Sequence, residues 1–315
     1  MAPSIVPGLL RRNDVLDINP PPAAADIHIT ARGDDWLWTV TAVDFFSLLC
    51  FLVLLYITPR TDRIFHYLTV LLIIVTGVCY FTMASDIGSA AVPVEWQRGD
   101  HDVRGTAREV FWVRYLDWFF TGPMIIMNLL LTAGVYWHTI LYTQLLYIVY
   151  VILLYVGSIV PTTYKWGYFT LAMVALALTL ENIVWAGWRH ASALGGNVAR
   201  LYRILAPSLV VLWILYPVAW GVSEGGNVIA PDSEHIFYGI LDILAKPVLG
   251  AVLLIGHMKI DITQLDLRLY DRVPNEGEAN RAAYNEKRDH LAQHDIEATA
   301  AGAPAAAPAA NGTQA

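Results

Sequence analysis

The sequence predicts an all-α membrane protein, a seven-transmembrane-helix bundle with its N-terminus outside and its C-terminus cytoplasmic. Three observations lead there. Of 315 residues, 56% are hydrophobic and only 15% charged, whereas a soluble domain carries about a quarter charged. Apolar stretches of the ~20 residues that cross a bilayer recur at Trp36–Ile57, Phe65–Ser85, Phe111–Ala133, Ile140–Val160, Trp166–Trp188, Ile204–Val222 and Ile236–His257. Basic residues, finally, favour alternate loops, which orients a polytopic chain. A β-barrel would show alternating segments of about ten residues instead.

In chain order, residues 1–35 form an N-terminal segment expected to lie outside. It lacks the apolar core of a cleavable signal, so the first span is expected to act as its own insertion signal. Arg60 and Arg63 follow span one, Arg189, Arg200 and Arg203 follow span five, and Lys259 follows span seven. The opposite loops hold Asp86, Glu95, Asp100, Asp102, Glu109, Asp232 and Glu234, diluted by Arg98, Arg104 and Arg108. The connection from Asp86 to Glu109 is long enough for a small hairpin around Gly99; the other connections are short, as an antiparallel bundle requires. Residues 36–258 read as one domain. Residues 259–315 read as a cytoplasmic, largely disordered tail ending in Ala/Pro low complexity, where the Asn311 sequon would go unused. The net charge of -7 is spread over loops and tails and decides little. Cys50 and Cys79 lie inside spans and suggest neither a disulfide framework nor a metal site. The sequence shows no repeat, phosphate loop or nucleic-acid patch. Membrane lipid is the expected surrounding, in the plasma membrane; a homo-oligomer is left open and no transducer is identified.

The chemistry sits in the spans. "LDILAKPVLG" places Lys246 in an apolar run, with Asp242 four residues earlier on the same helix face. An ionised lysine near a bilayer centre costs roughly 2.5–3.5 kcal/mol, so a role is expected. "RYLDWFFTGP" puts Arg114, Asp117 and Thr121 on one face of span three. These charges can neutralise one another, either as a structural network that fixes helix register or as a functional cluster. Span six, "WILYPVAW", lines up Trp213, Tyr216 and Trp220, with Pro217 between, and Trp118 stands beside Asp117. An aromatic stripe alone is ordinary core packing. Beside a buried amine able to form an imine, it suggests a flat apolar ligand held between indoles, with a carboxylate counterion.

These three motifs, in order on the third, sixth and seventh spans, resemble the microbial (type 1) rhodopsins of the bacteriorhodopsin-like fungal branch, over roughly residues 36–258. The resemblance implies all-trans retinal bound to Lys246 as a protonated Schiff base. It implies Asp117 as counterion and proton acceptor bonded by Thr121, and Asp242 as second counterion held by Tyr216. Arg114 matches the gate arginine one turn outward, and Tyr80 a tyrosine near the acceptor. Trp118, Trp213 and Trp220 would sandwich the polyene. Ile125 and Ala245, at colour-tuning positions, imply green absorption. Glu224 and Glu234 match a proton-release pair, although loop-end glutamates are commonly just solvated.

Departures from the family pattern bear on function. The internal proton donor position, eleven residues inward of Asp117 or about 16 Å along the helix, is Asn128, and an amide cannot donate a proton to the cycle. Its expected partner Thr69 is present. Gly122 stands where many relatives carry threonine, and the partner acid on span four is replaced by tyrosines. Pro247 removes a backbone donor and should perturb the seventh helix. Glu181 has no assigned role beyond snorkelling at the membrane edge. The resemblance implies a non-enzymatic photoreceptor protein. Asp117 excludes the family's chloride pumps, the sodium-pump pattern is absent, and Lys246 disfavours a retinal-free chaperone-like relative. Outward proton pumping with slow reprotonation is the favoured reading, and a slow sensory rhodopsin the alternative.

Overall fold

The computed structural model describes residues 15–94, 105–260 and Leu265. The expected tip at Gly99 and nearly all of the tail lie outside the described residues. Among the described residues seven long helices cross one bundle: α1 (Ala31–Ile57), α2 (Ile64–Ala84), α3 (Trp112–Thr132), α4 (Trp137–Ile159), α5 (Lys165–Leu194), α6 (Gly196–Gly225) and α7 (Pro231–His257). Six are long and apolar enough to cross a membrane by composition; the remaining one, α3, carries Arg114 and Asp117. Each helix packs on the next, and α7 closes the ring against α1.

Local chemistry sets the ends. The Thr30 hydroxyl accepts from the Arg32 N–H and caps α1, so the helix starts earlier than hydropathy alone predicts. Asp232, in the first turn of α7, accepts from the Thr30 N–H at 2.8 Å and its hydroxyl at 2.5 Å. Between α1 and α2, Arg63 donates to the carbonyls of Thr58 and Tyr56. Between α2 and α3, β1 (Ser89–Pro93) pairs antiparallel with β2 (Ala107–Phe111), Ser89 opposite Phe111, so the expected hairpin forms. Asp26 and Ile27 lay the incoming chain along β2.

α7 is not a uniform helix. Leu244–Val248 forms a π-type turn around Lys246 and Pro247. Proline has no N–H and its ring crowds the preceding turn, which the wider turn relieves. The polarity of the bundle is inverted relative to a water-soluble protein: Leu49, Val53, Leu145 and Ile255 are exposed, while Asp44, Arg114, Asp117, Asp242 and Lys246 are buried. That pattern fits a lipid exterior and a functional polar core.

Candidate functional site

The π-type turn of α7 presents Lys246 inward, where it is 2% exposed. Its Nζ donates to the Asp117 carboxylate from α3 and lies 3.0 Å from Asp242 Oδ1, one turn earlier on α7. Asp242 is clamped by two phenols, Tyr216 O–H at 2.6 Å and Tyr80 O–H at 2.5 Å. Tyr80, expected near Asp117, spends its hydroxyl on Asp242. The expected Thr121 bond to Asp117 also needs correction. The Thr121 hydroxyl goes to the Asp117 backbone carbonyl at 2.8 Å, the usual i−4 bond of a helical threonine. Thr76, on α2, donates to Asp117 Oδ1 at 3.0 Å instead. Asp44 on α1 is a third buried carboxyl, 1% exposed, and neither oxygen has a hydrogen-bond partner among the described residues. An ionised carboxyl so placed would be expensive.

Aromatic side chains pack on one another from Asp242 outward, through Tyr216. Trp118 meets Tyr216 and Tyr238 edge-on, Trp213 lies 4.5 Å from Tyr147 between ring centroids, and Trp220 stacks on Phe169 of α5. Pro217 is buried among them on α6. Gly122 has a clear reason: a Cβ there would stand 1.8 Å from the Tyr147 ring, so the tyrosine of α4 occupies the space a threonine would need. On the other side of Lys246, Thr69, Ile125, Asn128, Leu205, Ala245 and Leu249 help to line a small cavity of about 40 Å³.

Towards the hairpin, Arg114 donates to Glu234 and, at a long 3.4 Å, to Glu224. Its other nitrogen donates to His235 Nδ1 at 2.6 Å, and its guanidinium covers the Tyr238 ring. Both glutamates are 2% exposed, unlike solvated loop-end groups. Arg108, treated from sequence as a loop charge, reaches Glu234 Oε2 at 2.7 Å. Lys165 donates to the Glu224 carbonyl at 2.9 Å. Thr76, Asp44, Arg108, Lys165 and His235 were missed by sequence reasoning; only the charges inside apolar runs, Asp44 above all, left a readable signal. At the opposite end, Asn128 Nδ2 donates to Thr69 Oγ1 at 3.3 Å, joining the pair expected from sequence. Glu181 is exposed.

The donor set fits a retinal imine. A buried amine between two carboxylates matches one positive nitrogen with few N–H bonds, and indoles with an adjoining cavity match an apolar polyene. Comparison with known proteins points the same way. A family model described as Bacteriorhodopsin-like protein matches residues 33–260. The opsin-like protein carO of Fusarium fujikuroi is 46% identical over 298 residues, 93% of this chain and 95% of its own. The light-driven proton pump LR (Mac) from Leptosphaeria maculans superposes with a TM-score of 0.71 at 28% identity, over 74% of this chain and all of that one. The light-driven proton pump CsR from Coccomyxa subellipsoidea gives 0.69 at 30% identity, over 73% of this chain and 99% of that one. The chain belongs to the bacteriorhodopsin-like family, the fungal branch of the type 1 rhodopsins, integral membrane proteins that carry retinal on a lysine through a Schiff base.

Proposed function

We propose that the protein is a light-driven outward proton pump with all-trans retinal on Lys246. The observation that carries this reading is the unequal pair of carboxylates at the Lys246 nitrogen. Asp117 takes one hydroxyl bond, from Thr76, whereas Asp242 takes two. Two phenols hold Asp242 in place, which leaves Asp117, with fewer hydroxyl partners and in direct contact with the Lys246 nitrogen, as the proton acceptor. When bound, retinal supplies light absorption and an isomerisation that changes which side the Lys246 nitrogen faces. Arg114, one turn beyond Asp117, leads onward to Glu224 and Glu234. The basic residues at the Asn128 end, Arg60, Arg63, Arg189, Arg200 and Arg203, support placing that end in the cytoplasm and the hairpin outside, with the chain in the plasma membrane.

A second reading, a sensory rhodopsin with a slow cycle and little transport, is favoured by one observation. The donor position holds Asn128 against Thr69 rather than an acid. Slow recovery lets a signalling state accumulate. Light-driven pH change in cells or vesicles, with and without a protonophore, separates the two. Sustained acidification of the outside, abolished by the protonophore, supports the pump. A visible photocycle without net proton movement rejects it.

A further inference from the structure

Beyond Asn128 the polar chain continues to a residue with no role so far. His257 ends α7, eleven residues or about 16 Å from Lys246 along the helix, and it is buried. Its Nε2 lies 3.2 Å from Thr132 Oγ1 and its Nδ1 2.8 Å from the Leu253 carbonyl. Thr132 Oγ1 lies 2.7 Å from the Asn128 carbonyl. On its other side the ring stacks on Phe65 at 3.8 Å and lines a cavity with Thr58, Asp62 and His66 at that end of the bundle. We infer that His257 is the proton-entry relay of the pump: it takes a proton from this cavity and releases it towards the gap between Asn128 and Lys246, while the Thr132 hydroxyl turns between the Asn128 carbonyl and Nε2 as the ring gains or loses that proton.

Counting hydrogens gives the reason. Thr132 has one hydroxyl hydrogen. While it is donated to the Asn128 carbonyl, the hydroxyl can only accept from His257. The Leu253 carbonyl also only accepts. Both ring nitrogens then face acceptors, an arrangement that the doubly protonated ring satisfies in full. A neutral ring that donates from Nδ1 instead requires Thr132 to turn its hydrogen from Asn128 to Nε2. Gain or loss of a proton at His257 is thereby tied to the Thr132 bond on Asn128. No charge is created or lost in the transfer: one proton enters the ring from the cavity and one leaves towards the Lys246 nitrogen. The ionisable groups that share this cavity with the ring are His66 on α2 and Asp62 on the preceding turn, with Lys259 two residues on in sequence; Thr132 on α3 is neutral.

The relay rests on the pump reading, and its test distinguishes the two. A positioned proton shuttle is worth about 100-fold or more in rate. In the retinal-loaded protein, His257→Gln should keep the dark band but slow the return of the visible band after a flash by at least about tenfold, with a rate strictly proportional to proton concentration. His257→Ala, which leaves a ring-sized hole, should be rescued by added imidazole, whereas His257→Gln should not. In the retinal-free opsin, deuterium exchange at the ring carbon of His257, read by mass spectrometry, should outpace that of His235 in the hairpin-end cluster. Unchanged kinetics and pH profile in both variants, or exchange as slow as at His235, overturn the relay. If the variants do not fold, the parent's exchange result decides. Absence of light-driven transport in the parent rejects the pump instead, and the exchange measurement still reports on the histidine.

Discussion

At Asp117 the order of residues along α3 marks a buried carboxyl, the proposed acceptor, but not its bonding partner. Thr121 lies on the acceptor's own face, yet its hydroxyl closes on the backbone four residues back, and the useful hydroxyl arrives from Thr76 on another helix. Spacing shows which residues share a face of one helix; it does not show which neighbour comes within reach. Lys246 and Asp242 were legible because charge in an apolar run is expensive wherever the helices pack. Lys246→Ala should therefore abolish the visible band on adding retinal, and a hydroxylamine-sensitive pigment in that variant would refute the assignment. Asp117→Asn should move the band to longer wavelength, since the carboxylate stabilises the cation at the nitrogen mainly in its ground state, and should end net transport. Unchanged colour and transport would remove Asp117 from the role. Gly122 makes a separate test. A threonine there would overlap the Tyr147 ring, and overpacking of this kind costs about 1–3 kcal/mol. Gly122→Thr should lower the thermal bleaching midpoint, and adding Tyr147→Leu should recover most of the loss. A single variant as stable as the parent would mean that the two side chains do not share that space.

Among the elements, the helices were readable as long apolar runs, but the features that adjust them were not. Nothing in the hydropathy marks the π-type turn at Leu244–Val248, although Pro247 marks the disturbance that it relieves. On β2 the neighbours Arg108 and Glu109 look like one solvated pair in sequence. A strand sends successive side chains to opposite faces, so Arg108 reaches Glu234 while Glu109 accepts from the Ile29 N–H at 3.1 Å and faces Asp86. Asp86 forms the turn from α2 into the hairpin with φ 52°. Burial first, then the Glu109 carboxyl and the Asp34 charge, push its pKa up to about 7. Since an unfolded aspartate titrates near about 4, the folded state binds this proton more tightly. The resulting stability is complete below about pH 4 and is lost as pH rises through about 7. Asp86→Asn keeps a residue that tolerates positive φ and removes the charge. The variant should melt higher than the parent at about pH 8, and the difference should shrink towards about pH 4. A gap that is constant across that range would show that the Asp86 charge is not buried as described.

Across the whole molecule the two ends of the polar core are built differently. Towards the hairpin, Arg114, Arg108, Glu224, Glu234 and His235 form a continuous charged cluster. Towards the other end, the cavity beside Lys246 is lined by apolar groups, Thr69 and Asn128, with no carboxylate. On the proposed pump reading, proton exit is thus well provided and proton entry poorly, so reprotonation of the Lys246 nitrogen should limit the cycle. Its rate should fall as pH rises, because the proton comes from the solution beyond Asn128, and small permeant acids such as azide should quicken it. Asn128→Asp adds an acid in contact with Thr69. With no cation beside it, burial keeps that acid neutral at rest, where it can serve as an internal donor. The variant should recover faster, with weaker dependence on pH, and should move more protons per unit time in continuous light. Flash kinetics of the parent and the variant across several pH units make the measurement. A fast, pH-independent return in the parent would reveal an internal donor already present, and with it the premise that entry is the weak end would fall.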